Sequence, residues 1–184
     1  MEVLDIPEFR KAIVPISLEN YWELCKKDPI RYQSTELFKG IIINKMTKSS
    51  EHNFYKNVFT EEIRKFLPLE FFIQNENSLI IGESELEPDI SVIKGNLKDY
   101  KHKKPNSARL IVEISFSSLS YDRNKALEYA RADIEEYWIV DIEAERVEVF
   151  KNPTATGYLE TIQFTNKDSI PLLGGIVALS QLFE

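Results

Sequence analysis

Three residues stand out for the chemistry they could perform. Glu113 lies inside Leu110-Ile111-Val112-Glu113-Ile114, a run that otherwise asks for full burial. A carboxylate buried there must be ion-paired, protonated or bound to a cation, because desolvating a lone charge is costly. A salt bridge to Arg109 or to a lysine meets that need with no catalytic role. Asp89 follows Pro88, which forces an extended chain and suits the first position of a strand. Alone, Asp89 reads as a turn or strand-start residue. Together, two carboxylates at the ends of neighbouring strands can share one divalent cation, completed by water and a phosphate oxygen. Lys125 shares a predicted helix face with Asp122 and Tyr129, at i, i+3 and i+7. It can fold back toward the end of the Glu113 strand, where its ammonium would hold the attacking water or the scissile phosphate. The plain alternative is a solvated lysine paired with Asp122 or Glu128.

The elements that must position these groups follow from the apolar pattern. Residues 17–26 read as a helix capped by Ser17, with Leu18, Tyr21, Trp22 and Cys25 on one face as core. Residues 35–46 read as a β-hairpin around Lys39-Gly40. Ser49 or Ser50 caps a helix to about Leu67, where Pro68 ends it, with Phe54, Val58, Ile63, Phe66 and Leu67 as its apolar stripe. Strands are predicted at 69–76, 78–82, 89–94, 109–115, 136–142, 146–150 and 158–164. Helices are predicted at 121–132 and 176–183. The unit 109–142 predicts two parallel strands joined by a crossing helix. Tyr137 and Trp138 suit either base stacking or core packing.

The chain has 184 residues, 43% of them hydrophobic and 29% charged, enough for a globular core without staples. One cysteine and two histidines exclude a disulfide and any cysteine- or histidine-rich metal cluster. A metal here takes oxygen ligands, which favours Mg²⁺, Mn²⁺ or Ca²⁺. The net charge of −7 argues against a wholly basic nucleic-acid coat, but not against a local basic patch. The loop 94–104 holds five lysines and one aspartate. Its Lys98, Lys101, Lys103 and Lys104 are candidates for phosphate contacts, or else a solvated surface. The start MEVLDIPEFRK lacks the apolar core of a secretory signal, and no run approaches the roughly 18 apolar residues of a membrane span. A reducing cytoplasm is the expected location.

The string LIVEISFSSLSYDRNKALEYARADIEEYWIVDIEAERVEVF, preceded by EPDISVI, resembles the Uma-two family of the PD-(D/E)XK, or restriction-endonuclease-like, superfamily. ELFKGIII, His52 before the first long helix, and PLLGGIVALSQLF match as well. The similarity runs from about residue 17 to the end. It implies an α/β fold: a restriction-endonuclease-like core with a central mixed β-sheet flanked by helices and an N-terminal β-hairpin. The expected organisation is one domain over 1–184, with 1–16 as an extension. The resemblance implies Asp89 and Glu113 as ligands of Mg²⁺ or Mn²⁺. The superfamily's usual lysine position is Ser115 here, and Lys125 looks like the migrated substitute. Glu36 and His52 match auxiliary family positions, and Asp122 accompanies them. Ile41 replaces an acidic residue that relatives often carry, and Ala132-Asp133 replaces a helix-ending glycine.

The implied function is a metal-dependent endonuclease hydrolysing DNA phosphodiester bonds, acting as a homodimer. Two alternatives stand beside it. One is a catalytically inactive member that binds nucleic acid or protein through the retained fold. The other is a metal-dependent hydrolase of RNA or small phosphodiesters.

Overall fold

The computed structural model describes residues 11–45, 47–116 and 118–184; the expected extension falls outside this range over residues 1–10. The described chain forms two compact units. One comprises residues up to 45 with 83–86, and the other 47–82 with 87–184.

In the smaller unit, helix α1 (Leu18–Lys27) starts as predicted, with the Ser17 hydroxyl accepting the Asn20 N–H at 3.2 Å. Of its expected core face only Tyr21 is buried, its hydroxyl donating to the Thr35 carbonyl at 3.0 Å. Leu18 and Cys25 are half-buried and Trp22 is exposed, which corrects the core assignment of that stripe. The Trp22 indole N–H instead donates to the Glu85 carboxylate at 2.6 Å. A short helix α2 (Pro29–Tyr32) leads to the predicted hairpin, β1 (Thr35–Phe38) and β2 (Ile41–Asn44). Lys39 and Gly40 have φ of 51° and 76°, the two positive values that a tight two-residue hairpin turn needs. Glycine is also required sterically at position 40, since a Cβ there would lie 2.3 Å from the Pro15 Cβ. A strand not predicted, β5 (Ser84–Leu86), pairs with β1.

The larger unit is built on a six-stranded mixed sheet in the order β10-β9-β8-β7-β6-β3. Its strands are β3 (Phe71–Asn75), β6 (Ile90–Lys94), β7 (Leu110–Ser115), β8 (Glu136–Asp141), β9 (Arg146–Thr154) and β10 (Gly157–Thr165). The short β4 (Leu79–Ile81) precedes β6 in the chain. Within this sheet only β7 and β8 are parallel, as the strand–helix–strand reading requires. The crossing helix α4 (Leu119–Arg131) begins two residues earlier than predicted.

Alternation along β7 decides what faces what. Leu110, Val112 and Ile114 join Phe59 and Ile63 of helix α3 (Ser50–Lys65) in the main core. Ile111, Glu113 and Ser115 therefore face the other way, toward α4. The stripe predicted for α3 is shifted. Phe54 is 51% exposed, and the inward positions of the first three turns are His52, Lys56, Phe59 and Thr60. The start of α3 thus faces polar groups and only its later turns face oil. Tyr137 and Trp138 are both fully buried, which rules out base stacking by either ring.

The C-terminus is a further correction. In place of a helix over 176–183, β11 (Ser169–Leu172) and β12 (Gly175–Ala178) form a hairpin followed by a single turn, Leu179–Gln181. Buried Ile170, Leu172, Val177 and Leu179 recur at period two, which is strand spacing, and Leu173-Gly174 supply the positive φ of the turn. This hairpin packs onto the core through a contact that fixes residue 175. A Cβ on Gly175 would come within 2.2 Å of the Phe66 ring. Gly175→Ala is expected to cost about 1–3 kcal/mol by overpacking, measured as a drop in thermal midpoint. An unchanged midpoint would mean the hairpin does not seat on that ring.

Candidate active site

The site begins with register. β6 and β7 pair Ile90 with Val112, so the next step along the ladder sets Asp89 opposite Glu113. The Asp89 N–H donates to Glu113 Oε2 at 3.3 Å, and the Ile114 N–H donates to Asp89 Oδ2 at 2.8 Å. The Glu113 carboxylate is therefore fixed by the Asp89 backbone, and the Asp89 carboxylate by the backbone one residue beyond Glu113. Both are almost fully buried, at 5% and 4% exposure.

Each carboxylate has its own cation. Lys125 Nζ lies 2.8 Å from Glu113 Oε1, and the Tyr129 hydroxyl donates to the same oxygen at 3.2 Å. Lys125 is itself buried, 4.8 Å above the Tyr121 ring. The helix-borne lysine thus reaches the carboxylate that Ser115, two residues along β7, does not serve. Ser115 bonds to Ser118 instead, which in turn donates to Asp122 Oδ2 at 2.6 Å. Asp122 also lies 3.6 Å from Lys125. Burial pushes the Asp122 carboxyl up, against the pull of Lys125 and the Ser118 hydroxyl. The other partners considered for these residues are engaged elsewhere: Arg109 with Glu135 at 2.9 Å, Glu128 with Arg131 at 3.1 Å.

Asp89 is held from the other side by α3 and the residues before it. Its Oδ2 is 3.0 Å from His52 Nε2, and its Oδ1 is 2.9 Å from Lys48 Nζ. Burial alone would raise the Asp89 pKa. The His52 hydrogen bond and the Lys48 charge outweigh burial and hold it at about 2. His52 Nδ1 is buried and has no hydrogen-bond partner among the described residues. Lys48 also contacts Glu76 Oε1 at 2.8 Å, and Lys56 meets that same oxygen at 2.7 Å.

The structure therefore brings together Asp89, Glu113, Lys125, Asp122 and His52 in the larger unit. Glu36 belongs to the smaller unit, buried on β1 opposite Ile43. Lys98, Lys101, Lys103 and Lys104 are exposed on the turn and loop between β6 and β7, with Lys103 5.3 Å over the Tyr100 ring. Sequence reasoning missed Lys48, Lys56 and Glu76, and gave Tyr129 no contact with the carboxylate. The polar stripe His52-Lys56-Thr60, at i, i+4 and i+8 on one helix face, was the one available signal. Glu76 carried none.

The donor set fits a hard divalent cation. Two carboxylate oxygens on adjacent strands, one kept ionised far below neutral pH, match how Mg²⁺ is held: by one or two carboxylates, with waters and substrate oxygens completing the shell. Among the described residues no group of three or more His, Cys, Asp or Glu is placed to hold a metal ion, so protein ligands beyond these two carboxylates are not supplied by such side chains.

A family model described as "Putative restriction endonuclease", Uma2, matches residues 18–180. The chain belongs to the Uma2 family. Its fold is that of a solved Anabaena variabilis ATCC 29413 protein described as "a putative nuclease belonging to DUF820". The two share 19% identity with a TM-score of 0.77, over 92% of this chain and 98% of that one. A weaker likeness, TM-score 0.38 at 18% identity, is to the type IIG restriction endonuclease BpuSI, covering 59% of this chain and 12% of that one. No curated protein matches the sequence. The restriction-endonuclease-like core expected of this Uma2 member is thus present, as a mixed sheet flanked by α3 and α4. Among the described residues no helix is long and apolar enough to cross a membrane.

Proposed function

We propose that this Uma2 protein is a Mg²⁺- or Mn²⁺-dependent endonuclease that hydrolyses phosphodiester bonds in DNA. The observation that supports it is the buried constellation of Asp89, Glu113 and Lys125, tied together across β6, β7 and α4. Asp89 and Glu113 would hold the cation, with the Ile114 backbone carbonyl as a third oxygen. The chemistry supplied by a cation bound there is Lewis-acid polarisation of the phosphate and acidification of water. Lys125 would orient the attacking water and stabilise charge developing on the phosphate oxygens, keeping its proton throughout. Tyr129 and Asp122 position Lys125 and Glu113. His52 positions Asp89. The proposal includes a single catalytic domain over 1–184 and a homodimer, since cutting both strands takes two sites. A monomer mass by light scattering at working concentration would reject the dimer.

The test is a Mn²⁺ titration by calorimetry, followed by a panel of labelled duplex, single-stranded, branched and RNA substrates in Mg²⁺ or Mn²⁺. Metal binding with duplex cleavage is the expected result. Cleavage confined to RNA or to small phosphodiesters would move the substrate class. Duplex binding indifferent to metal, with no cleavage, would make the protein an inactive binding member of the family.

A further inference from the structure

We propose that Lys48 and Lys56 form a phosphate-binding pair beside the carboxylate centre, and that Glu76 stands in for the phosphodiester oxygen they bind. The proposal rests on the nucleic-acid reading above, but it concerns residues outside Asp89, Glu113 and Lys125.

The geometry is unusual for a purely structural ion pair. One oxygen, Glu76 Oε1, receives two ammonium groups, Lys48 at 2.8 Å and Lys56 at 2.7 Å. Lys48 is shared with Asp89, at 2.9 Å, so Glu76 is the carboxylate that both lysines divide between them, and it is the one on the more exposed side. Among the described residues Lys56 has Asn53 Oδ1, at 3.0 Å, as its one further partner, and its side chain is 9% exposed. A buried ammonium ordinarily needs more compensation than one amide and a shared carboxylate. An additional anionic oxygen would supply it.

Glu76 is also held in a costly way. Its φ is 53°, a left-handed conformation that residues with a Cβ seldom adopt. Its own N–H donates to the Asp89 carbonyl at 3.2 Å. Strain of this kind persists where the surroundings impose it, and here it puts a carboxylate oxygen between two lysines. A phosphodiester oxygen has the same charge and accepts the same charge-assisted hydrogen bonds.

Exposure says where such an anion enters. The Glu76 and Lys48 side chains are 33% and 27% exposed, whereas those of Asp89 and Glu113 are 7% and 5% exposed. Lys48 and Glu76 therefore lie on the solvent side of the centre, with Lys56 buried behind them at 9% exposure. Lys48 also touches Asp89 Oδ1 at 2.9 Å, so a phosphate bound by Lys48 lies alongside that carboxylate. For a protein of net charge −7, a local cationic pair next to the reacting group offsets the repulsion of a polyanion.

The test is duplex DNA binding by the full chain, read by fluorescence anisotropy in EDTA so that neither metal nor cleavage contributes. Glu76→Gln keeps the shape and removes the competing charge; it is expected to bind about fivefold tighter or more. Lys48→Met/Lys56→Met is expected to bind about tenfold weaker, with a salt slope lower by about one to two. If the double variant does not fold, Lys48→Gln alone should lower the slope by about one. A folded Glu76→Gln that binds no tighter than wild type would overturn the proposal, and so would lysine variants with unchanged affinity and slope. Cleavage in Mn²⁺ separates this from the nuclease reading. Tighter binding by Glu76→Gln in a protein that never cleaves leaves the phosphate pair standing and removes the nuclease. Cleavage with no response to Glu76→Gln does the reverse.

Discussion

Lys125→Met is expected to lower stability by about 3–5 kcal/mol and to slow cleavage severely. The side chains of Lys125 and Glu113 are each only 5% exposed, with 2.8 Å between the charged atoms. Removing the ammonium takes away the charge that balances the Glu113 carboxylate, in a place where charge is expensive, while the Tyr129 hydroxyl and the Asp89 N–H still donate to it. The rate is expected to fall by about 10²–10³ from the loss of charge stabilisation alone. A second variant separates the two effects. Lys125→Met/Glu113→Gln removes both charges together, and replacing a whole buried pair by neutral groups is often close to neutral. Chemical denaturation should therefore show most of the lost stability restored while cleavage is not. A single variant as stable as wild type would contradict the buried pair. A Lys125→Met that cleaves at the wild-type rate would remove the mechanism.

Asp89→Asn has the second-largest expected effect, on metal binding and on acid stability at once. The amide still accepts the Ile114 N–H, but it offers no charge to Lys48 or to a cation. Mn²⁺ binding should disappear from a folded variant. The Asp89 carboxyl titrates at about 2 instead of its ordinary 3.8. That difference corresponds to about 2 kcal/mol favouring the ionised form in the folded protein. Because the folded value is depressed, this stabilisation is fully present above about pH 4 and is lost as the pH falls through about 2. Wild type should thus exceed Asp89→Asn by about 2 kcal/mol at neutral pH, and the gap should close between about pH 4 and pH 2. A gap that is constant across this range would mean that the carboxylate's charge is not what the site stabilises.

How much of this was legible in the sequence depends on what kind of contact made each part. Glu113 was visible because it interrupts an apolar strand, and Asp89 because Pro88 sets it at a strand start. The parallel pair β7–β8 followed from two apolar runs around a helix. Lys125 was readable as a helix-face neighbour of Asp122, but its aim at Glu113 depends on how α4 packs on the sheet. Lys48, Lys56 and Glu76 were invisible for a related reason. Lys48 precedes a helix cap and Glu76 ends a strand in a left-handed turn, and neither position breaks a periodic pattern. The α3 stripe was misjudged at Phe54 because the inward face changes from polar to apolar along one helix. The C-terminal hairpin was missed because Ile176, Leu179, Leu182 and Phe183 fall at i, i+3, i+6 and i+7, a spacing that also satisfies a helical template.

The decisive measurement is relaxation and linearisation of supercoiled plasmid by the wild-type chain in Mg²⁺ or Mn²⁺, beside the folded Lys125→Met/Glu113→Gln variant and an EDTA control. Metal-dependent nicking or cutting by wild type alone is the predicted result. Cleavage that survives in the double variant, or a wild type that binds the plasmid and leaves it intact in both metals, would contradict the endonuclease assignment.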